Sequence, residues 1–369
     1  MTTAEGKDGK PFRVISTGLR GGRANIAFDQ ALIEARREGR IPDSIRFLQF
    51  RPSALIGIHQ FLRHELKLDY CAAHSIETVR RITGGGGLYF DEGQIGWELV
   101  FDRATLGITD LAEVTRRICE AAALGLQRLG VPARYRPRND IEVDGRKISG
   151  TGGFVDGNII FYQGTLLIDF DPAKMLACLN VPAEKLAKRA IDSAAQRIIT
   201  MREVLGGSVP DLDSIYAGFV AGFADGLGIS PTWGPITPYE EELAERAYRD
   251  EIGTDAYVAM LDAPPAGDTS VTASLTGRGG TVRADIRLEG AHGDRIREVL
   301  ITGDFFITPP RVVFDLEAAL RGLDVADAGR AVEDFFARTP TDFLSLSAGD
   351  FRQVVEMALS QRGVTAAAS

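Results

Sequence analysis

Apolar positions recur at helical spacing over residues 24–38, where Phe28, Ala31, Leu32 and Ala35 share a face and Glu34, Arg36, Arg37 and Glu38 gather at the end. That pattern predicts an amphipathic helix packed on a sheet. Two short apolar runs, 46–50 and 54–58, are separated by Arg51-Pro52-Ser53 and read as sheet strands joined by a turn, with Gln60 a solvated residue just beyond. A helix over 63–73 and a strand over 76–82 follow. Past a run of glycines come a strand over 95–101 and a helix over 110–129, with Leu111, Val114, Ile118, Ala122 and Leu129 on one face. Asp144-Gly145 and Asp156-Gly157 then mark two hairpins that make a three-stranded meander.

The second half reads more coarsely. Two short helices fill 172–189, divided near Asn180-Val181-Pro182, and an amphipathic helix covers 211–227. The stretch 229–238 holds three prolines and a glycine, the best boundary in the chain. It divides a domain over 1–235 from one over 236–369. Beyond it lie a helix over 239–249, strands over 282–288 and 296–301, and helices over 316–323, 326–336 and 351–359. Residues 363–369 read as a disordered tail.

Composition narrows the class. The 369 residues exceed the usual single-domain size, and 44% hydrophobic with 25% charged residues is ordinary for a soluble globular protein. A net charge of -9 argues against nucleic acid as a partner. Cys71, Cys119 and Cys178 form no CxxC pair and read as reduced, buried thiols, and the four histidines form no ligand motif. No apolar run spans a bilayer and no signal peptide is visible, so no membrane association and a cytoplasmic location are expected.

Two constellations carry chemistry. In Arg80-Arg81-Ile82-Thr83-Gly84-Gly85-Gly86-Gly87-Leu88-Tyr89-Phe90-Asp91, four glycines remove every Cβ from a short segment, so backbone N–H groups can approach an anion flanked by guanidinium forks. A run of glycines also serves plain turns. In Asn139-Asp140-Ile141-Glu142-Val143-Asp144-Gly145-Arg146-Lys147-Ile148-Ser149-Gly150, the two-residue turn sets Glu142 opposite Lys147 and Asp140 opposite Ser149. Lys147 then stands among carboxylates, either as a cross-strand ion pair with Glu142 or as a functional cation. In the second hairpin the same rule sets Gly164 opposite Ser149, so that glycines thin the strands beside the lysine for a ligand laid across the sheet. A basic cluster, Lys185, Lys188, Arg189, Arg197 and Arg202, serves equally as a solvated face or a docking surface.

Together the arginine-glycine loop, the lysine hairpin and Gly164-Thr165-Leu166-Leu167 resemble the lipoate-protein ligase family, whose catalytic fold is related to biotin-protein ligase. Looser matches are Asn25, Asp29, Gly57, Gln60 and Arg197, and the resemblance covers roughly residues 20 to 230. Ile301-Thr302-Gly303-Asp304-Phe305-Phe306, followed by Leu316-Glu317, looks like the accessory domain of such ligases. The resemblance implies an α+β fold, a mixed and largely antiparallel sheet with flanking helices of the class II synthetase type, plus a small α+β accessory domain. It implies a cytoplasmic enzyme that condenses ATP with lipoate to an acyl-adenylate and passes the acyl group to a lysine of an acceptor protein. That acceptor would be a 2-oxoacid dehydrogenase E2 domain, a glycine cleavage H protein or a similar lipoate-binding protein.

By that resemblance Lys147 is the catalytic cation, binding the substrate carboxylate and α-phosphate. Arg81, Gly84, Gly85, Gly86, Gly87, Leu88, Tyr89, Asn139, Asp140, Ser149, Gly150, Thr151 and Gly164 would bind ATP and lipoyl-AMP. Mg2+ would arrive with ATP, with no protein-only metal site, and Lys185, Lys188 and Arg189 would dock the acceptor. Family members usually carry a histidine where this chain has Phe90 and another where it has Gln163. The alternatives are an ATP-independent octanoyl or lipoyl transferase, which needs a nucleophilic cysteine, and a non-catalytic protein that binds lipoyl domains.

Overall fold

The structure, a computed structural model, describes residues 9–108, 110–180, 196–265, 267, 269–277, 280–344 and 346–362. From the N-terminus, β1 (Lys10–Arg20) leads into α1 (Gly22–Arg37), β2 (Ser44–Phe50) and β3 (Ser53–Ile56). Then come α2 (Leu62–Glu65), α3 (Leu68–Ala73), β4 (Glu77–Arg80), β5 (Leu88–Phe90), β6 (Gln94–Asp102), α4 (Arg103–Leu106) and α5 (Leu111–Arg128). The meander is β7 (Arg134–Arg136), β8 (Asp140–Val143), β9 (Arg146–Asp156) and β10 (Ile159–Leu167), followed by α6 (Pro172–Cys178), α7 (Met201–Val204) and α8 (Leu212–Leu227). The remaining elements are β11 (Ile229–Trp233), α9 (Pro238–Ala247), α10 (Asp255–Val258), β12 (Ser270–Gly277), β13 (Gly280–Glu289), β14 (Arg295–Gly303), β15 (Ile307–Thr308), α11 (Val312–Leu320), α12 (Ala328–Arg338), β16 (Asp342–Phe343) and α13 (Ala348–Ser360).

Eight strands form the main sheet in the order β11-β1-β2-β6-β10-β9-β8-β7, antiparallel except where β1 runs parallel to β2 and β11. Alternation sends Ile95, Trp97 and Leu99 of β6 to a face covered by α5 and α8, and Gly96, Glu98 and Val100 to the other, beneath α1. The two runs around Arg51-Pro52-Ser53 do not share a sheet. β3 leaves the main sheet to sit between β4 and β5 in a small separate one. Gln60 is buried rather than solvated, its Oε1 accepting from the Gly57 N–H at 2.8 Å. The second helix expected within 172–189 and the tail at 363–369 lie outside the described residues, as do Lys185, Lys188 and Arg189. No helix among the described residues is long and apolar enough to cross a membrane.

The first half of the proline-rich stretch is the edge strand β11, its last proline opens α9, and α9 packs on α1 through Leu243 and Ala244. We therefore place the division between the two units after α10 rather than at 235/236. The second unit is an antiparallel sheet, β12-β13-β14, covered by α11, α12 and α13 over a core that includes Val282, Ile286, Val299, Leu316 and Phe351. Its Glu317 accepts from the Ile301 N–H at 2.6 Å, and burial pushes that carboxyl up to about 8.

The units meet at His59. Its carbonyl accepts from the Gly303 N–H at 2.9 Å, and its ring stacks on Phe305 at 5.2 Å with Phe314 at 5.4 Å. Burial, with Arg80 adding repulsion, lowers the imidazole from 6.5 to about 3. The unfolded chain thus binds a proton between those values that the native state refuses, so stability is complete at pH 7 and falls as pH drops below 6.5. Between pH 6.5 and 5 this amounts to about 2 kcal/mol. Thermal midpoints measured across that range should fall with acid in the native protein, and His59→Leu should flatten the slope.

Candidate active site

The glycine run hangs between β4 and β5, and the arginine pair before it divides its work. Arg80 is fully buried and donates to the carbonyls of Gly57, Ile58, Gln60, Val258 and Leu261 at 2.7 to 3.2 Å, so it clamps the surrounding loops. Arg81 braces the glycine loop itself, donating to Gly84 O (2.7 Å), Gly86 O (2.8 Å) and Thr83 Oγ1 (3.1 Å). Burial lowers its guanidinium to about 10, which leaves it charged at neutral pH. Its Nη1 is buried with no protein acceptor, a costly state unless an anion comes to it.

The lysine hairpin turns at Asp144-Gly145 with Glu142 opposite Lys147, but a bulge then moves the pairing by one residue. Asp140 faces Gly150, and Ile141 faces Ser149. Ser149 consequently turns into the core, fully buried with an unpartnered hydroxyl, and does not join the polar face. Glu142 pairs with Arg134 (2.9 Å) and Arg136 (3.0 Å), so the expected Glu142–Lys147 pair is replaced. Lys147 Nζ instead meets Asp140 at 2.8 Å, and Arg136 meets the same carboxylate at 2.7 Å. Burial pushes the Asp140 carboxyl up, yet the two cations outweigh it and hold the group below the usual range. Asn139 is fixed by Thr151, whose carbonyl accepts from Nδ2 at 2.5 Å.

The second hairpin is also offset. Asp156 pairs with Ile159, so Gly164 faces Thr151 and Gln163 faces Gly152. Gly164 does not clear space for a ligand, since a Cβ there would lie 2.1 Å from the Trp97 ring on the helix-covered face. Gly150 makes room for Lys147, whose Nζ lies 2.5 Å from where its Cβ would be. Two loop glycines answer to the second unit: the Gly85 N–H donates to Phe305 O at 3.0 Å, and a Cβ on Gly84 would lie 2.2 Å from that oxygen.

Both constellations border one cavity of about 360 Å³. Arg81, Gly84, Gly86, Gly87, Leu88, Tyr89, Asn139, Lys147, Gly150, Thr151 and Gly164 line it, whereas Gly85, Asp140 and Ser149 do not. Lys147 marks the polar end on β9. From there the floor crosses β10 and β6 to Leu48 on β2, three strand spacings or about 14 Å. The far end is apolar, with Ile26, Leu55 and the stacked pair Phe50–Phe90 at 4.4 Å. Phe90 therefore belongs to the apolar wall, while Gln163 donates from Nε2 to Thr83 Oγ1 at 2.9 Å and ties the sheet to the glycine loop. Phe170 and Met175 contribute from beside and within α6, which Lys174 tethers to Asp91 at 2.8 Å.

Sequence reasoning overlooked Glu98. It lines the cavity and meets Arg46 at 2.9 Å, while Arg46 also holds Asp29 at 2.6 Å and the Asn25 Oδ1 at 2.7 Å, all fully buried. Burial raises both carboxyls, Glu98 the further, and the single Arg46 guanidinium between them only partly offsets it. The available signal was a single carboxylate inside the apolar strand Ile95-Gly96-Trp97-Glu98-Leu99-Val100-Phe101. Phe306, another lining residue, belongs to the Ile301–Phe306 stretch assigned by resemblance to the accessory domain, and nothing in that stretch indicated that its ring reaches the cavity.

All three cysteines are buried and free, and none lines the cavity. Cys119 lies behind Thr151, 3.3 Å from its hydroxyl, and burial pushes the thiol up to about 11. No group of three His, Cys, Asp or Glu among the described residues could hold a metal ion.

The family model of the lipoyl protein ligase A/B catalytic domain matches residues 22–224. An octanoyltransferase LipM of Symbiobacterium thermophilum is 30% identical over 267 residues, 66% of this chain and 96% of that protein. Lipoate-protein ligase A subunit 1 of Thermoplasma acidophilum is 27% identical over 245 residues, 64% of this chain and 91% of its own length. Among solved structures, P. falciparum LipL1 in complex with lipoate matches with a TM-score of 0.69, covering 95% of this chain and 100% of that one at 13% identity, a likeness of fold.

Proposed function

Since this chain belongs to the lipoyl protein ligase A/B catalytic-domain family, we propose that it is an ATP-dependent lipoate-protein ligase, taking lipoate or octanoate as acid. The observation that carries this reading is the placement of the thiols. Relatives divide between a transferase and a ligase, and a transferase of this fold needs a cysteine beside the acyl carbonyl. Here the cavity is lined by Lys147, Arg81 and the glycine loop but by no cysteine, and Cys119 lies behind Thr151 with its thiol pushed up to about 11.

In the proposed first half-reaction the acyl carboxylate attacks the α-phosphorus of ATP, the bond to the β-phosphate breaks and pyrophosphate leaves. Two anions must be brought together, so the protein's work is charge neutralisation and alignment. Lys147 stands where carboxylate and α-phosphate would meet. Arg81 offers its unpartnered Nη1 at the glycine loop, whose N–H groups would face the phosphates. Magnesium would enter as the metal complex of ATP, with Asn139 and Asp140 nearby for ribose, phosphate or metal. The apolar floor running toward Phe50 and Phe90 gives a medium-length acyl chain its place. In the second half-reaction an acceptor lysine amine attacks the acyl carbon and AMP departs. We take the acceptor to be a lipoyl-bearing domain, an E2 domain or H protein, meeting the basic segment that holds Lys185, Lys188 and Arg189.

Lipoate-dependent exchange of pyrophosphate into ATP tests the reading directly, and no exchange with either lipoate or octanoate would overturn it. As a second check, Cys119→Ser should leave acyl transfer to the acceptor within about threefold of the parent, whereas a thioester mechanism through that sulfur requires a loss of about a hundredfold or more. A trapped acyl-thioester on any cysteine would favour the transferase instead.

A further inference from the structure

Phe306 enters the cavity from the second unit, in the turn between β14 and β15. Its backbone is held from both sides, by Gly85 N–H on the preceding carbonyl at 3.0 Å and by Leu344 N–H on its own at 3.4 Å. The ring fills the gap between the glycine loop and β9. A Cβ on Gly152 would lie 2.3 Å from its Cε1, and one on Gly85 would lie 2.7 Å from its Cζ and 3.0 Å from Arg81 Nη2. Gly150, where the Lys147 ammonium rests, is two residues from Gly152 on the same strand face, about 7 Å away. A phenyl ring and the putting-in-place ammonium thus occupy neighbouring positions over one strand, with Arg81 beside them.

On the ligase reading above, we propose that Phe306 is a shielding residue: its ring closes the polar end of the cavity and keeps water from the acyl-adenylate. The reaction it suppresses is hydrolysis. Water's oxygen bonds the acyl carbon, the acyl bond to the phosphate oxygen breaks, AMP leaves as its dianion, lipoate forms as carboxylate, and water's two protons pass to solvent. A mixed anhydride is most exposed to this attack where charged groups draw solvent, which is the end marked by Lys147 and Arg81. The ring covers that end with apolar surface and brings no group able to activate water. Glycines at 85 and 152 are the counterpart on the first unit, since any side chain at either position would push the ring away.

The test uses the full chain with ATP, Mg2+ and lipoate and no acceptor, measuring AMP release and pyrophosphate exchange in parallel. Phe306→Ala is expected to raise AMP release relative to exchange by about tenfold, and Phe306→Leu, which restores apolar bulk, to bring the ratio back near the parent value. Gly152→Ala, whose new methyl must displace the ring, should raise the same ratio and supplies the readout if Phe306→Ala loses exchange. Normal exchange with an unchanged ratio in the alanine variants overturns the shielding role alone. Absence of exchange in the parent protein overturns the ligase reading, and this inference with it.

Discussion

Lys147→Ala is expected to lower lipoate-dependent pyrophosphate exchange by at least about a hundredfold, as loss of a preorganised charge donor does. The fold survives the change. Lys147 is about a third exposed, at 34%, and Asp140 keeps its Arg136 partner at 2.7 Å, so no carboxylate is stranded. Surface-accessible pairs of this kind are worth about 0 to 1 kcal/mol, and the thermal midpoint should shift only slightly. Function is affected because the ammonium, tucked over Gly150, is a positive charge held at the cavity's polar end before any ligand arrives. Lys147→Arg is expected to recover little, since a guanidinium is broader than the space Gly150 leaves. Exchange within a few fold of the parent would mean that the lysine merely pairs the hairpin.

Arg46→Ala is expected to destabilise the protein by about 3 to 5 kcal/mol, the range for breaking a buried ion pair by removing one partner. The substitution leaves Asp29 and Glu98 facing each other in the core with no cation, and desolvation of the remaining charge goes uncompensated. Glu98→Gln separates the charge states. Burial raises the Glu98 carboxyl well above its ordinary range, so an amide in its place keeps the shape and the neutral form that burial favours, and the cost should stay under about 1 kcal/mol. Denaturant midpoints at constant m-value measure both. Equal losses for the two variants would mean that Glu98 is ionised and that the wall it forms is negatively charged.

The placement of these groups shows how far a linear reading reaches. The Asp144-Gly145 turn and the first pairing, Glu142 opposite Lys147, were legible because a two-residue turn dictates its own register. The bulge one residue later was not. It depends on burying Ile148 and Ser149 together, which the strand's partners impose and its own alternation does not show. The same limit applied to Gly164, whose missing Cβ answers to Trp97 on a neighbouring strand, and to the turn at Gly157, where the loop lies one residue further along than the Asp-Gly signal implied. The arginine pair looked equivalent in sequence. Only packing separated Arg80, consumed by five carbonyls, from Arg81, which keeps one nitrogen unpartnered.

By itself the sequence determined the family, the α+β class and the two constellations that border the cavity, because turn chemistry, glycine runs and charged forks are local properties written in adjacent residues. Tertiary structure alone decided which partner each charge found, that Glu98 shares the buried Arg46 with Asp29, that Phe90 stacks on Phe50 in an apolar wall, and that the glycine loop receives Phe305 and Phe306 from a unit more than two hundred positions away. Those outcomes depend on desolvation and close approach between segments distant in the chain, and no local pattern encodes either.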